Sequence, residues 1–173
     1  KNEYPKPYAF ARLHYPEAQY KKTDFNDCPF SFEYPSYAIA EKFVKNGKNI
    51  WWLNIRFEKY RAVLYTTYEE AKNTSELKEL IMENESLLKK QLPPYSSIKK
   101  TDFYSEGRDL KILFYEIDGA TAFPLLFLIS DKNDRLFRGS LYFDYVPDRD
   151  SIADILNGMT RDVRHLLESF KFD

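Results

Sequence analysis

Along several stretches of the chain apolar and polar residues alternate with period two, the spacing of a strand with one buried face. In residues 51–57 Trp51, Leu53, Ile55 and Phe57 fall on one side, and Trp52, Asn54 and Arg56 on the other. Residues 62–68, rich in β-formers, follow after a short link, which predicts a hairpin. Phe30, Phe32 and Tyr34 alternate in the same way until Pro35 ends the run. Residues 9–15 read as a first strand. Three more strands are predicted at 110–117, 120–129 and 136–145. Asp118-Gly119 is a hairpin signal between the first two, and residues 131–134 form a turn before the third. Pro124, inside the middle segment, predicts a bulge or an edge position.

Twice the period changes to that of a helix. Leu77, Leu80, Ile81, Leu87 and Leu88 form a stripe within 75–91, with Thr74 or Ser75 as N-cap and Pro93-Pro94 as the stop. Near the end Ile152, Ile155, Met159, Val163, Leu167 and Phe170 form a longer one, joined by Leu156. Ser151 with Asp154 resembles a capping box at its start. The short links favour antiparallel pairing. The expected fold class is therefore α+β: a curved antiparallel sheet with the long C-terminal helix on one face and a second, mid-chain helix. Residues 1–8, with Pro5 and Pro7, read as an extended leader, and 9–173 as one α+β domain.

Composition narrows the function classes. Basic residues number 26 and acidic 27, so no overall basic field exists to hold nucleic acid. Only 5 glycines argue against phosphate-cradling loops. With 14 Tyr and 14 Phe, aromatics have two uses: packing in a β-rich core, or an adhesive surface.

Candidate chemistry is thin. Cys28 is the single cysteine, read as a small buried hydrophobe, and no zinc-type spacing occurs. His165, between Asp162 and Glu168 on the terminal helix, reads as a surface salt bridge rather than a general base. Asp131, Asn133 and Asp134 begin like a calcium loop, but Leu136 stands where glycine is needed and Tyr142 where the closing glutamate is needed, so they read as a polar turn. Asp144, Asp148 and Asp150 cluster near Pro147, with Asp150 suited to a helix start. No catalytic residue, metal ligand or cofactor is assigned, and the chain is expected not to be an enzyme.

The segment 136–145 offers an interaction surface. Phe137, Gly139, Leu141 and Phe143 share the face assigned to the core, which leaves Arg138, Ser140, Tyr142 and Asp144 together on the other. Arg and Tyr are favoured at binding hot spots, so these four residues are the interaction candidates. A covering helix or ordinary solvation of the sheet would account for the same pattern.

Several blocks, in order along the chain, resemble the gliding-motility lipoprotein GldD family. They are Tyr4-Pro5-Lys6-Pro7, Cys28-Pro29-Phe30-Ser31-Phe32-Glu33-Tyr34-Pro35, Trp52-Leu53-Asn54-Ile55, Phe137-Arg138-Gly139-Ser140-Leu141-Tyr142-Phe143, Asp150-Ser151-Ile152 and His165-Leu166-Leu167-Glu168-Ser169-Phe170. The resemblance implies a non-catalytic lipoprotein of the outer membrane, facing the periplasm, that serves gliding motility and type IX secretion. Its implied partners are other gliding and secretion lipoproteins of the envelope, with no nucleic acid. Membrane contact would come only through an N-terminal lipid anchor upstream of Lys1; Cys28, preceded by Asn26-Asp27, is not in a lipobox. The resemblance brings no catalytic residues. The element order, with an early Phe-x-Phe-x-Tyr-Pro strand and a final amphipathic helix, is similar to that of the PsbP-type fold. Two other classes stay open: a hydrolase of envelope polymers, and a carrier of a small apolar ligand.

Overall fold

In the computed structural model, which describes residues 14–41, 43–47 and 50–173, the longest alternating stretches become the middle of one antiparallel sheet. Short strands come first: β1 (Tyr20–Lys22), β2 (Phe30–Ser31), β3 (Glu33–Pro35), β4 (Ile39–Ala40) and β5 (Val44–Asn46). The hairpin β6 (Ile50–Phe57) and β7 (Ala62–Glu70) leads to helix α1 (Thr74–Gln91). Then come β8 (Ser97–Ser105), β9 (Leu110–Asp118), β10 (Leu125–Ser130), β11 (Arg135–Phe143), helix α2 (Ala153–Ser169) and β12 (Lys171–Phe172). The main sheet has the order β4-β6-β7-β11-β10-β9-β8, with β5 also on β6. Two small ladders, β1 with β3 and β12 with β2, stand apart from it. The fold is α+β.

The two sheet faces carry different cores. On one, Leu53, Ile55, Phe127, Phe137 and Leu141 are buried with Met159 and Val163 from α2 and with Phe170 just after it. On the other, Leu113, Tyr115, Leu128 and Leu136 are buried with Leu77 and Leu88 of α1. Each helix thus buries its apolar stripe on its own side of the sheet. Burial of one such leucine or phenylalanine is worth about 1.5–3 kcal/mol. Along β11, Phe137, Gly139, Leu141 and Phe143 are buried and Arg138, Ser140 and Tyr142 are half-buried, the expected phase.

Several expectations need correction. Residues 97–105 carry no alternation, yet they form β8; as an edge strand mostly open to solvent it has no face that demands apolar residues. Residues 30–34 are not one strand. Phe32 separates β2 from β3, and the two pair with different elements, although Phe30, Phe32 and Tyr34 are all buried. Pro124 lies just before β10, so the strand starts after the missing N–H instead of bulging around it. Its carbonyl accepts from the Ile117 N–H at 2.8 Å. The N-cap of α1 is Asn73, whose side chain accepts from the Glu76 N–H at 3.0 Å. No capping box forms at α2; Ser151 donates to Asp148 at 2.6 Å instead. Leu87 is 52% exposed. Leader residues 1–8 and most of the predicted first strand, up to residue 13, lie outside the described residues; His14 and Tyr15 are not in a strand.

The last turn of α2 is held from outside. Arg108 Nη1 donates to the carbonyls of Leu167 at 2.7 Å and Phe170 at 2.9 Å, which gives two helix-end oxygens a charged partner.

Candidate functional site

Two surface features bring together side chains that could bind something. The first is a cleft of about 650 Å³ between α2 and the β8–β9 side of the sheet. Its charged groups largely face one another. Glu116 takes Lys99 at 3.7 Å and Arg164 at 3.4 Å, and Arg161 takes Asp162 at 2.9 Å. Arg149 donates from Nε to the Gly119 carbonyl at 3.1 Å and from its terminal nitrogen to the Ile117 carbonyl. Several of the charged side chains that line the cleft are thus already paired or hydrogen-bonded.

Behind it lies Asp162, 1% exposed. Its carboxylate accepts hydroxyls from Tyr15 at 2.6 Å and Tyr20 at 2.8 Å, and a third from Tyr37. Burial, and then the hydrogen bonds to Asp162, push the Tyr15 and Tyr37 hydroxyls well above the usual tyrosine range. His165 bonds Glu33 at 2.5 Å, and its ring stacks on Tyr20 at 3.6 Å. The partner of His165 thus comes from β3 and is neither Asp162 nor Glu168 of its own helix. Cys28 is half-buried; burial pushes its thiol up to about 11, far from a reactive thiolate. Asp131 closes a turn, accepting the backbone N–H groups of Asn133, Asp134 and Arg135, each at 3.0 Å. Among the described residues no cluster of three or more acidic, histidine or cysteine side chains is placed to hold a metal.

The second feature is the face of the main sheet opposite α2. Helix α1 covers the β9–β10 part of it and leaves the β6–β7 part open. Where the helix ends, a cavity of about 240 Å³ opens between its last turns and the sheet. Arg138, Ser140 and Tyr142 line it together, with Leu126 and Leu128 from β10 and Leu87 from α1. Asp144 does not join them. It lies beyond the end of β11 and pairs with Arg61 at 2.9 Å. Arg138 is reached by the covering helix: its Nη1 donates to Asn84 Oδ1 at 2.7 Å. Asn84 is fixed in turn, since its Nδ2 donates to the Leu80 carbonyl at 2.7 Å.

Sequence reasoning missed Tyr65 and Asn84 here. Register places Tyr65 beside Ser140, and the Tyr65 and Tyr142 rings meet edge to face with centroids 5.9 Å apart. Trp52 stands one strand further out, 38% exposed, and Tyr65 is 50% exposed. The outward phase of β6 was legible in Trp52, Asn54 and Arg56. That of β7 was hidden by its run of β-formers. The result is a row of exposed aromatics beside a cavity that holds an arginine.

The model of the gliding motility lipoprotein GldD family matches residues 1–172. This chain belongs to that family. Membership in GldD makes it a gliding motility lipoprotein and thus a membrane-anchored protein of the cell envelope. No helix among the described residues is long and apolar enough to cross a membrane. A comparison with curated proteins finds no match. Among solved structures, the GldD-family chain is similar to cyanobacterial PsbP from Synechocystis sp. PCC 6803, at 11% identity and a TM-score of 0.49, covering 91% of this chain and 95% of that one.

Proposed function

We propose that this protein is a non-catalytic component of the gliding motility and type IX secretion machinery. It is held by a lipid anchor at the periplasmic side of the outer membrane and works by docking other envelope lipoproteins on the open face of its sheet. The observation that carries this is the row of exposed Trp52 and Tyr65 with half-buried Tyr142, beside Arg138, the residue types that supply most energy at interfaces. In the larger cleft Glu116 already holds two basic partners, Lys99 and Arg164, which supports a binding rather than a catalytic role.

The test is affinity purification of the full-length lipidated protein from its own cells, wild type against an Arg138→Ala, Tyr142→Ala double variant. The double variant should melt close to wild type and lose envelope partners. If it folds normally and retains the full partner set, the sheet face is not the docking surface.

A further inference from the structure

The cavity beside Arg138 has a chemistry more specific than an adhesive face. Its guanidinium offers five N–H donors. One meets a neutral acceptor, Asn84 Oδ1, and no carboxylate among the described residues pairs with it. Glu69, diagonal to Arg138 across the β7–β11 register, makes no ion pair with it. Ser140, two positions along β11 on the same face, has a buried hydroxyl oxygen without a hydrogen-bond partner among the described residues. Such a group costs free energy until something bonds it. Leu87, Leu88, Leu126 and Leu128 form the apolar part of the wall. A half-buried, unneutralised cation, an unsatisfied hydroxyl and an aliphatic wall together fit one kind of group.

We infer that this cavity receives an acidic-apolar segment of a partner polypeptide, with a carboxylate on Arg138 and Ser140 and an aliphatic side chain against the leucines. The inference rests on the reading of the sheet face as a docking surface and names what it docks. Size favours a single side chain of a partner over a free metabolite. At about 240 Å³ the cavity is below the roughly 300–1,000 Å³ of small-molecule sites. Asn84 pre-orients the guanidinium from α1, so little side-chain freedom remains to be lost on binding.

The experiment is an NMR titration of the ¹⁵N-labelled domain with two probes, N-acetyl-leucine and its uncharged analogue N-acetyl-leucinamide. The acid should shift the Arg138 Nε–H and the amides of Ser140, Leu126 and Leu87, and the amide probe should bind about tenfold more weakly or more. Arg138→Gln, which keeps a donor for Asn84, should reduce binding of the acid to the level of the amide. Arg138→Lys should restore part of it. Equal shifts from both probes, shifts elsewhere, or none at all in the wild type overturn the inference, and that arm does not depend on any variant folding. Probe binding without loss of partners from the Arg138→Ala, Tyr142→Ala protein in cells sustains the cavity chemistry and rejects the docking face. Loss of partners without probe binding does the reverse.

Discussion

The hydroxyl of Tyr15 donates to the carboxylate of Asp162 at 2.6 Å, across 147 positions of sequence. That bond, with those from Tyr20 and Tyr37, ties the first described segments of the chain to the middle of α2. Asp162 is buried, and among the described residues these hydroxyls and Arg161 are its side-chain partners. Asp162→Ala removes the acceptor from all of them and should cost about 3–5 kcal/mol. Tyr15→Phe, which leaves two hydroxyls in place, should cost about 1.5–3 kcal/mol. Chemical denaturation of both variants checks the order; an Asp162→Ala protein as stable as Tyr15→Phe would show that the tyrosines do not act through this carboxylate.

The same tyrosines predict an alkaline signature. An ordinary tyrosine ionises near pH 10. The raised hydroxyls of Tyr15, Tyr37 and Tyr115 should stay protonated there. Because their values are raised on folding, their contribution is complete below the unfolded value and is lost as pH climbs toward the folded one. Tyrosinate absorbance should therefore rise in two phases, the second coinciding with loss of circular dichroism. A single phase complete before unfolding would contradict it.

Asp131 gives the acid counterpart. Burial opposes its ionisation, but the Arg135 side chain and the backbone N–H groups of the turn outweigh it and hold the carboxyl below its usual value. A lowered folded value means the contribution is present above about pH 3.9, the unfolded value, and is lost as pH falls through the folded one. Asp131→Asn should flatten the acid limb of the stability curve below that pH. An unchanged acid limb would rule out this turn as a contributor.

Gly139 and Phe127 are register partners on β11 and β10. A Cβ on Gly139 would come within 2.2 Å of the edge of the Phe127 ring, so Gly139→Ala should cost about 1–3 kcal/mol by overpacking. The double change with Phe127→Leu should recover part of that loss, because the two residues share one space. A stability loss in the double variant equal to the sum of both singles would show that they do not.

Leu167 is fully buried on α2 against the sheet. Leu167→Ala should cost about 2–5 kcal/mol, measured by thermal or denaturant unfolding. A cost below about 0.5 kcal/mol is typical of a surface position and would mean that the helix does not dock by this stripe.

What the sequence determined by itself were the faces. Period two in β6 and β11 and the helical stripe of α2 each state which side chains avoid water, and that local demand survives into the fold because every residue on the stripe needs the same burial. It also carried the residues by which the family is recognised. Tertiary structure alone decided which distant groups meet. Asp162 looks like one more polar position on a helix until three tyrosines from the N-terminal segments converge on it, and His165 finds Glu33 rather than a neighbour on its own helix. Edge strand β8 was invisible because an edge open to solvent imposes no apolar pattern. Arg138, Ser140 and Tyr142 were legible as one face of a strand. That the face holds a cavity, and that Asp144 is excluded from it, depended on where α1 stops over the sheet and where β11 ends. Side-chain alternation reports burial against some surface, but which surface, and how far it extends, is set by the packing of whole elements.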